Sequence, residues 1–119
     1  MNYRVIFYKD VKGNTPVEDY LFSLPKAEQD KCLAFIKRIT EEGPHLRRPT
    51  ADYLGGKSKL YELRPGRHRY LYYFHDKTVV LLHAFLKKTS EIPVEDIDEA
   101  EYRKEICEVL FAHGRITVE

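Results

Sequence analysis

The chain has 119 residues, and its 20 Lys and Arg nearly balance 19 Asp and Glu, so that the formal net charge is +1. This length predicts one domain that buries a single core without disulfides or metals. No apolar run reaches the ~18 residues of a membrane-spanning helix, and the N-terminus lacks the apolar stretch of a signal peptide. We therefore expect a cytoplasmic protein that does not enter a membrane.

The two cysteines, Cys32 and Cys107, fall on the apolar faces of predicted helices. This placement predicts two buried thiols in a reducing compartment rather than a disulfide. The cysteines lack CxxC spacing, and the five histidines show no i,i+3 or i,i+4 pairing. The sequence therefore predicts no metal site and no cofactor.

The near-zero net charge conceals an uneven distribution along the chain. Residues 45–88 contain ten Lys and Arg against three Asp and Glu, a balance of +7. Residues 91–110 contain eight acids against two bases, a balance of −6. A basic surface concentrates polyanions whatever the total charge, so the central segment is a candidate surface for nucleic acid.

The N-terminal segment predicts a strand and then a short helix. Tyr3–Lys9 alternates apolar and polar side chains, which is typical of a strand. Thr15, Pro16 and Glu18 have the pattern of a capping box with proline at the first helical position. A short helix should therefore run to about Ser23.

A longer helix restarts at Pro25 and ends at Gly43-Pro44, where glycine and proline together stop it. The two helices predict an αα-hairpin that covers one face of a sheet. Residues 45–58 contain Pro49, Gly55 and Gly56 with little periodicity, and predict a long, partly ordered loop. The apolar stripe of the longer helix recurs at helical spacing through Cys32, Phe35, Ile36 and Ile39.

Three β-prone runs follow at short intervals: Leu60–Arg64, His68–His75 and Thr78–Leu86. Their short connections restrict consecutive strands to antiparallel pairing, because a parallel return needs a crossover of a dozen or more residues. Pro93 then opens a third helix that runs to about Ala112. The predicted order is β-α-α-β-β-β-α, an α+β domain over residues 1–112 with a small antiparallel sheet, followed by a tail over residues 113–119.

Side-chain alternation divides the middle strand into two faces. Tyr70, Tyr72 and Phe74 form the more apolar set, which we place under the helix pair. The opposite set, Arg69, Leu71 and Tyr73, is then expected to be solvated, and parity in the flanking strands adds Arg64 and Lys88 to that face.

The pieces LYELRP, HRYLYYF and VVLLHAFLKKT, followed by an acidic helix after Pro93, resemble the RelE/ParE superfamily of bacterial toxins, and most closely its HigB-like, phage-derived subgroup. The similarity extends from the N-terminal FYKD strand to about Leu110. It implies the RelE-like fold and the toxin of a type II toxin–antitoxin system, which cleaves mRNA in the ribosomal A site without a metal. It further implies a cognate antitoxin, usually a helix-turn-helix protein. The toxin is then expected to reach operator DNA only through its complex with that antitoxin.

The resemblance assigns roles to several residues. Arg64 matches the first active-site arginine of the family, and Lys88 stands where a second essential arginine often occurs. Lys57 and Lys59 lie roughly where RNA-contacting lysines occur. Apart from the resemblance, the basic segment adds Arg67 and Lys87 to the expected RNA-binding surface, and His68 joins them from its position beside a turn. A tyrosine that RelE uses near its C-terminus has no match, since the corresponding position is about Val94.

Metal-free RNA cleavage needs a base for the 2′-hydroxyl, cations for the phosphorane, and an acid for the 5′-oxygen. Arg64 and Arg69 suit the charge-stabilising role, because a fixed guanidinium acts most strongly in a partly dehydrated site. For the acid or base, His83, an exposed His68, Tyr73 and the lysines remain alternatives. His83 also fits a core histidine bonded to backbone.

Two other functions remain open. A ParE-like poison of DNA gyrase shares the fold without the nuclease chemistry, although the cations at Arg64, Lys87 and Lys88 favour the nuclease. A non-enzymatic module that binds nucleic acid or protein is compatible with the near-neutral net charge.

Overall fold

The computed structural model describes residues 2–56 and 58–116. Over these ranges the chain forms a five-stranded sheet with helices on both faces. The elements are β1 (Arg4–Phe7), α1 (Pro16–Phe22), α2 (Lys26–Glu42), a 3₁₀ turn (Gly43–His45), β2 (Ala51–Gly55), β3 (Leu60–Leu63), β4 (His68–His75), β5 (Thr78–Leu86) and α3 (Val94–Ala112).

The predicted α+β class and all three helices are confirmed. Pro16 stands at the start of α1, and Gly43 ends α2 with a φ of 57°, a left-handed conformation that favours glycine. The predicted capping box does not form, because the Thr15 hydroxyl donates to the Asp19 carboxylate at 3.4 Å and caps no backbone amide. None of the described helices is long and apolar enough to cross a membrane.

The sheet differs from the prediction in two respects. Its strand order is β1-β5-β4-β3-β2, and β1 pairs with β5 in parallel, so the sheet is mixed rather than antiparallel. The second difference is β2, which occupies part of the segment predicted as a loop and pairs antiparallel with β3. The pairs β3–β4 and β4–β5 are antiparallel as predicted.

The helix pair covers one face of the sheet, as expected. Tyr70 and Tyr72 of β4 are fully buried there, and Cys32 of α2 packs in the same cluster as a free thiol. The remaining buried members come from α1, α2, the strands and the residue after the 3₁₀ turn, namely Val17, Leu21, Ile36, Ile39, Leu46, Ala51, Leu63, Val79 and Leu81.

The opposite face is also buried, and the prediction of a solvated face was wrong. Helix α3 packs across it, and Leu71 and Tyr73 are 0% and 2% exposed. Cys107 of α3 is a free, buried thiol in this second cluster. Ile116, in the segment predicted as a tail, packs against the same cluster, while residues 117–119 lie outside the described residues. The domain boundary at residue 112 stays a prediction.

Substitution of Gly43 by alanine should destabilise the fold by more than about 2 kcal/mol, because it combines backbone strain with a steric clash. A Cβ there would overlap the ring of Tyr3. Gly13→Ala is the matched control, since Gly13 also has a positive φ (89°) but has no atom within 4 Å of its Cβ position. Urea unfolding should show the larger loss for Gly43→Ala, and equal losses would contradict the predicted clash.

Alkaline pH should destabilise the protein through its buried tyrosines. Burial raises the pKa of Tyr72, and burial with Cys32 and Glu28 nearby raises that of Tyr20 to about 12. An unfolded tyrosine titrates near ~10, so the stabilisation is fully present below that pH and is lost as pH rises toward the folded pKa. The urea concentration at the unfolding midpoint should therefore decrease as the pH rises from about 10 to about 12.

A substitution isolates the contribution of Tyr72. Its hydroxyl is buried and makes no hydrogen bond to the described residues, so Tyr72→Phe should cost nothing at neutral pH and should reduce the alkaline fall. Tyr102→Phe, on a ring that is 60% exposed, should behave as the wild type. A Tyr72→Phe variant with the full alkaline fall would disprove the assignment.

Candidate active site

A buried carboxylate lies between two arginines at the end of β3 and β4. Nη1 of Arg64 donates to Oε1 of Glu62 at 2.7 Å, and Nε of Arg69 lies 3.6 Å from Oε2 of the same carboxylate. The Glu62 and Arg69 side chains are 3% and 9% exposed, whereas that of Arg64 is 18% exposed. Arg64 is thus the cation of this group that reaches solvent.

Strand register brings these side chains together. Glu62 of β3 pairs with Leu71 of β4, which makes Arg69 its diagonal neighbour on the same face. Arg64 follows β3 directly, and its backbone N–H donates to the carbonyl of Thr50 at 2.9 Å. The predicted common face of Arg64 and Arg69 is therefore observed, although α3 covers its middle.

Arg69 is held rigidly but is not fully satisfied. Its Nη1 donates to the carbonyls of Gly66 and His68, both at 2.8 Å. Its Nε and the Oε2 atom of Glu62 are buried without a hydrogen bond among the described residues. Burial, with Arg64 alongside, lowers the pKa of Arg69, but an arginine starts so far above neutrality that the group stays charged.

His83 lies on the same face, as the partner of Leu71 in β5 and therefore diagonal to Arg69. Its Nε2 is 2.6 Å from Oδ1 of Asp96 in α3. Its Nδ1 is 3.5 Å from Nη1 of Arg103, which also donates to the carbonyl of Leu82. Its partners are thus side chains of α3 and not the backbone, so the interpretation as a core histidine bonded to backbone is wrong.

His68 is not exposed, and this correction follows from its position on the helix-covered face. It is 6% exposed, its Nδ1 is 2.6 Å from the hydroxyl of Tyr20, and its Nε2 is 2.6 Å from the Glu28 carboxylate. These contacts connect β4 to α1 and α2. The sheet separates His68 from Arg69, so His68 cannot share a ligand with that arginine.

Tyr73 also differs from the prediction. It is 2% exposed beneath α3, and burial with Glu108 nearby raises its pKa, which keeps the hydroxyl protonated at neutral pH. The Lys104 ammonium lies 5.2 Å from its ring centroid. Tyr73 is therefore unsuited to act as a base.

The remaining predicted cations lie around the Arg64 end of the sheet or near the β2–β3 turn. Lys88 is exposed beyond the end of β5, and Lys87 donates its backbone N–H to the carbonyl of Arg67 at 2.8 Å. Lys59 is exposed in the turn before β3. Lys57 lies outside the described residues.

Two acids that complete the site were missed as site residues. Glu62 is one of the few acids in the basic segment, and its position two residues before Arg64 is the signal that could have found it. Asp96 could not be assigned to His83 from sequence, because their contact depends on how α3 packs. Among the described residues, no group of three or more His, Cys, Asp and Glu side chains could hold a metal ion.

Removal of the Glu62 carboxylate should destabilise the fold by about 3 kcal/mol, because it leaves two guanidinium groups together without their counter-ion. Glu62→Ala in urea unfolding measures this loss. Glu41→Ala is the control, since Glu41 forms an exposed i,i+4 pair with Lys37 at 4.0 Å, which contributes about 0.3 kcal/mol. Equal stability of the two variants would show that Glu62 does not hold the arginines.

Comparison with known proteins adds two findings to this geometry. The sequence model of the phage-derived Gp49-like protein family (DUF891) matches residues 19–105. A chain from the crystal structure of the archaeal RelE–RelB complex of Pyrococcus horikoshii OT3 is 29% identical with a TM-score of 0.59, and the match covers 76% of this chain and 100% of that chain. No curated protein matches this chain.

Proposed function

Because the chain belongs to the phage-derived Gp49-like protein family and its fold is similar to that of RelE, we propose that it is the toxin of a toxin–antitoxin pair and cleaves mRNA on the ribosome as a HigB-like endoribonuclease. The similarities support a toxin as the class of function. The observation that supports the nuclease chemistry is one cluster of side chains. Arg64 and Arg69 share the Glu62 carboxylate, and His83, which is diagonal to Arg69, has Asp96 as its own acidic partner.

Arg64 is the group that contacts the scissile phosphate. Its guanidinium is partly exposed, while Glu62 fixes its orientation from the buried side. A guanidinium positioned in this way offers its other N–H donors to phosphate oxygens in a fork that stabilises the growing charge of the phosphorane. Lys88, exposed beyond β5, supplies a second positive charge without the fork.

Arg69 positions the Glu62 carboxylate from the buried side of the site. It shares Glu62 with Arg64, and its unpaired Nε lies next to the unpaired Oε2. When phosphate draws the Arg64 guanidinium outward, Glu62 can turn toward Arg69, because that pair needs only a small approach from 3.6 Å to form a hydrogen bond. Arg69 thereby keeps the carboxylate from following Arg64 to the substrate.

His83 is the proton-transfer group. The Asp96 carboxylate accepts from Nε2–H, which leaves the lone pair on Nδ1 to take the 2′-hydroxyl proton. Among the residues that the structure describes, only a long 3.5 Å contact from Arg103 competes for that nitrogen. The resulting imidazolium is stabilised by Asp96, and it can return the proton to the departing 5′-oxygen.

The proposed partners follow from the same class of function. The solved structure similar to this chain contains RelE together with RelB, which supports an antitoxin as the partner. A helix-turn-helix antitoxin would carry the contact to operator DNA. Messenger RNA on the ribosome would approach the basic end of the sheet, where Arg67 and Lys88 are exposed and the backbone of Lys87 donates to the carbonyl of Arg67.

Controlled expression in bacteria tests the proposal, with growth and the 5′ ends of transcripts as readouts. The wild type should arrest growth and cut translated mRNA in frame. Arg64→Ala should lose at least about a hundredfold in cleavage, since it removes the main charge-stabilising group. Lys88→Ala should lose cleavage without loss of stability, because Lys88 is exposed outside the strands.

Lys26→Ala is the matched control, an exposed lysine of α2 whose partner is Asp30. It should arrest growth as the wild type does, and co-expression of the antitoxin should relieve the arrest. Purified variants are compared by circular dichroism so that loss of fold is recognised. Arrest with intact mRNA would overturn the nuclease in favour of the gyrase poison, and normal growth with wild type would favour a binding module.

A further inference from the structure

A second concave site lies at the other end of β3 and β4 from Arg64. It has a volume of about 490 Å³. Its wall combines aromatic rings with two ammonium groups and one carboxylate, and it is lined by Pro44, Tyr53, Lys59, Tyr61, Tyr73, Phe74, Lys104 and Glu108. We call it the tyrosine pocket.

The tyrosine pocket exists because neighbouring strands differ in length. Strand β3 begins at Leu60, whereas β4 continues to His75, and the last pair between them is Tyr61 with Tyr72. Among the described residues, β3 does not pair with residues 73–75 of β4. Side chains from both faces of the sheet can therefore line one opening, with Phe74 from the helix-pair side and Tyr73 from the α3 side.

Aromatic rings form one wall. The Tyr53 and Tyr61 ring centroids are 4.7 Å apart, and Tyr61 meets Phe74 edge to face at 5.0 Å. Tyr53 is 39% exposed, so part of its ring is available for stacking. Arg47 adds positive charge beside this wall, with its guanidinium 5.7 Å and 5.6 Å from the Tyr53 and Tyr61 centroids.

Charged groups form the opposite wall. Lys59 has a φ of 54°, a left-handed conformation that costs energy for a residue with a side chain. Nζ of Lys104 donates to the carbonyl of Ser58 at 2.7 Å and is thereby fixed at the pocket. Glu108 places one carboxylate beside the two ammonium groups, which disfavours a small free anion as the ligand.

Tyr73 provides a second observation, independent of the shape of the pocket, that favours a polar ligand. Its side chain forms part of the pocket wall, the residue is 2% exposed, and its hydroxyl is buried without a hydrogen bond to the described residues. A buried hydroxyl without a partner costs free energy, and a polar group of a ligand would satisfy it.

We propose that the tyrosine pocket binds one unpaired nucleotide of a single-stranded RNA. The base stacks on Tyr53, and the ammonium groups of Lys59 and Lys104 contact its phosphate. The Glu108 carboxylate accepts hydrogen bonds from amino groups on the base edge, as acidic side chains do with cytosine. The chemistry requires a flat ring, a phosphate and a hydrogen-bond donor together, which a nucleotide supplies.

This site is separate from the candidate active site. From Arg69 to Tyr73 β4 advances by four residues, about 13 Å at ~3.3 Å per residue. The nucleotide in the tyrosine pocket is therefore not the one that is cleaved. The inference deepens the proposed function and rests on it for the choice of RNA, since the pocket itself would accept the base and phosphate of other single strands.

Fluorescence anisotropy with a short, unstructured, labelled oligoribonucleotide measures the binding. The full chain carries Arg64→Ala in every sample, so that the probe is not cut. Tyr53→Ala should weaken binding by roughly tenfold, because stacking on an aromatic side chain contributes about 1–3 kcal/mol per base. Lys59→Gly, which suits the positive φ, should weaken it and reduce its salt dependence.

Two surface substitutions serve as controls. Tyr102→Ala removes a tyrosine that is 60% exposed on α3, and Lys37→Ala removes an exposed lysine of α2. Both lie outside the tyrosine pocket and should bind as the parent does. If the pocket variants bind as tightly as these controls, or if the probe does not bind, the proposal is overturned.

The outcome is independent of the growth experiment. Binding that depends on Tyr53, in a chain that cuts no mRNA in cells, would establish the pocket and reject the nuclease. Cleavage that depends on Arg64 and Lys88, with binding insensitive to Tyr53 and Lys59, would establish the nuclease and reject the pocket. A deoxyribonucleotide probe of the same sequence that binds more tightly would contradict the choice of RNA.

Discussion

The candidate active site depends on one carboxylate, that of Glu62, which is buried between Arg64 and Arg69. A buried charge is costly unless it is paired, and two adjacent guanidinium groups repel each other unless an anion lies between them. The Glu62 carboxylate meets both requirements, because the arginines pair its charge and it lies between them. The hydrogen-bonded ladder of β3 and β4 sets Glu62 beside Arg69, and Arg64 follows β3 directly, so most of this geometry belongs to the sheet.

Helix α3 determines how the basic and acidic halves of the chain coexist. Three of its acids have specific partners: Asp96 contacts His83, Glu99 pairs with Arg103 and Glu101 accepts from Ser58. Among the described contacts, none of these acids pairs with Arg64 or Arg69. The helix therefore buries the middle of the sheet face without neutralising its basic end, which leaves that end available to a polyanion.

Local signals in the sequence predict local structure well in this chain. Proline at the start of α1, Gly43 at the end of α2 and the short turns between β3, β4 and β5 each act over a few residues. Strand β2 was not predicted, because it is short, contains Gly55 and lies at the sheet edge. There, pairing with a neighbour rather than intrinsic propensity determines whether a strand forms. The parallel pairing of β1 with β5 joins distant segments and leaves no local pattern.

The same distinction explains the outcome for the candidate site. Alternation in β4 correctly separated Tyr70 and Tyr72 from Arg69, Leu71 and Tyr73, because a strand has a fixed period of two. It could not show which face is solvated, since that depends on α3, whose apolar stripe is incomplete. Tyr73 was misplaced for this reason. His68 lies on the helix-pair face and was misplaced because its position beside a turn suggested exposure, and its partner Glu28, like Asp96, comes from a helix that only the tertiary fold brings near.

The two ends of β4 carry different kinds of chemistry, and this difference has a physical basis. At the Arg64 end, charges are buried and mutually restrained, which suits stabilisation of charge that develops in a reaction. At the Tyr73 end, rings and ammonium groups remain accessible, which suits recognition of a base and its phosphate. Because one rigid strand connects them, a nucleotide held at one end fixes the distance to the phosphate at the other. Substrate choice can then change through Tyr53, Lys59 or Glu108 while the Glu62 cluster stays intact, since these residues share no contact with it in the described structure.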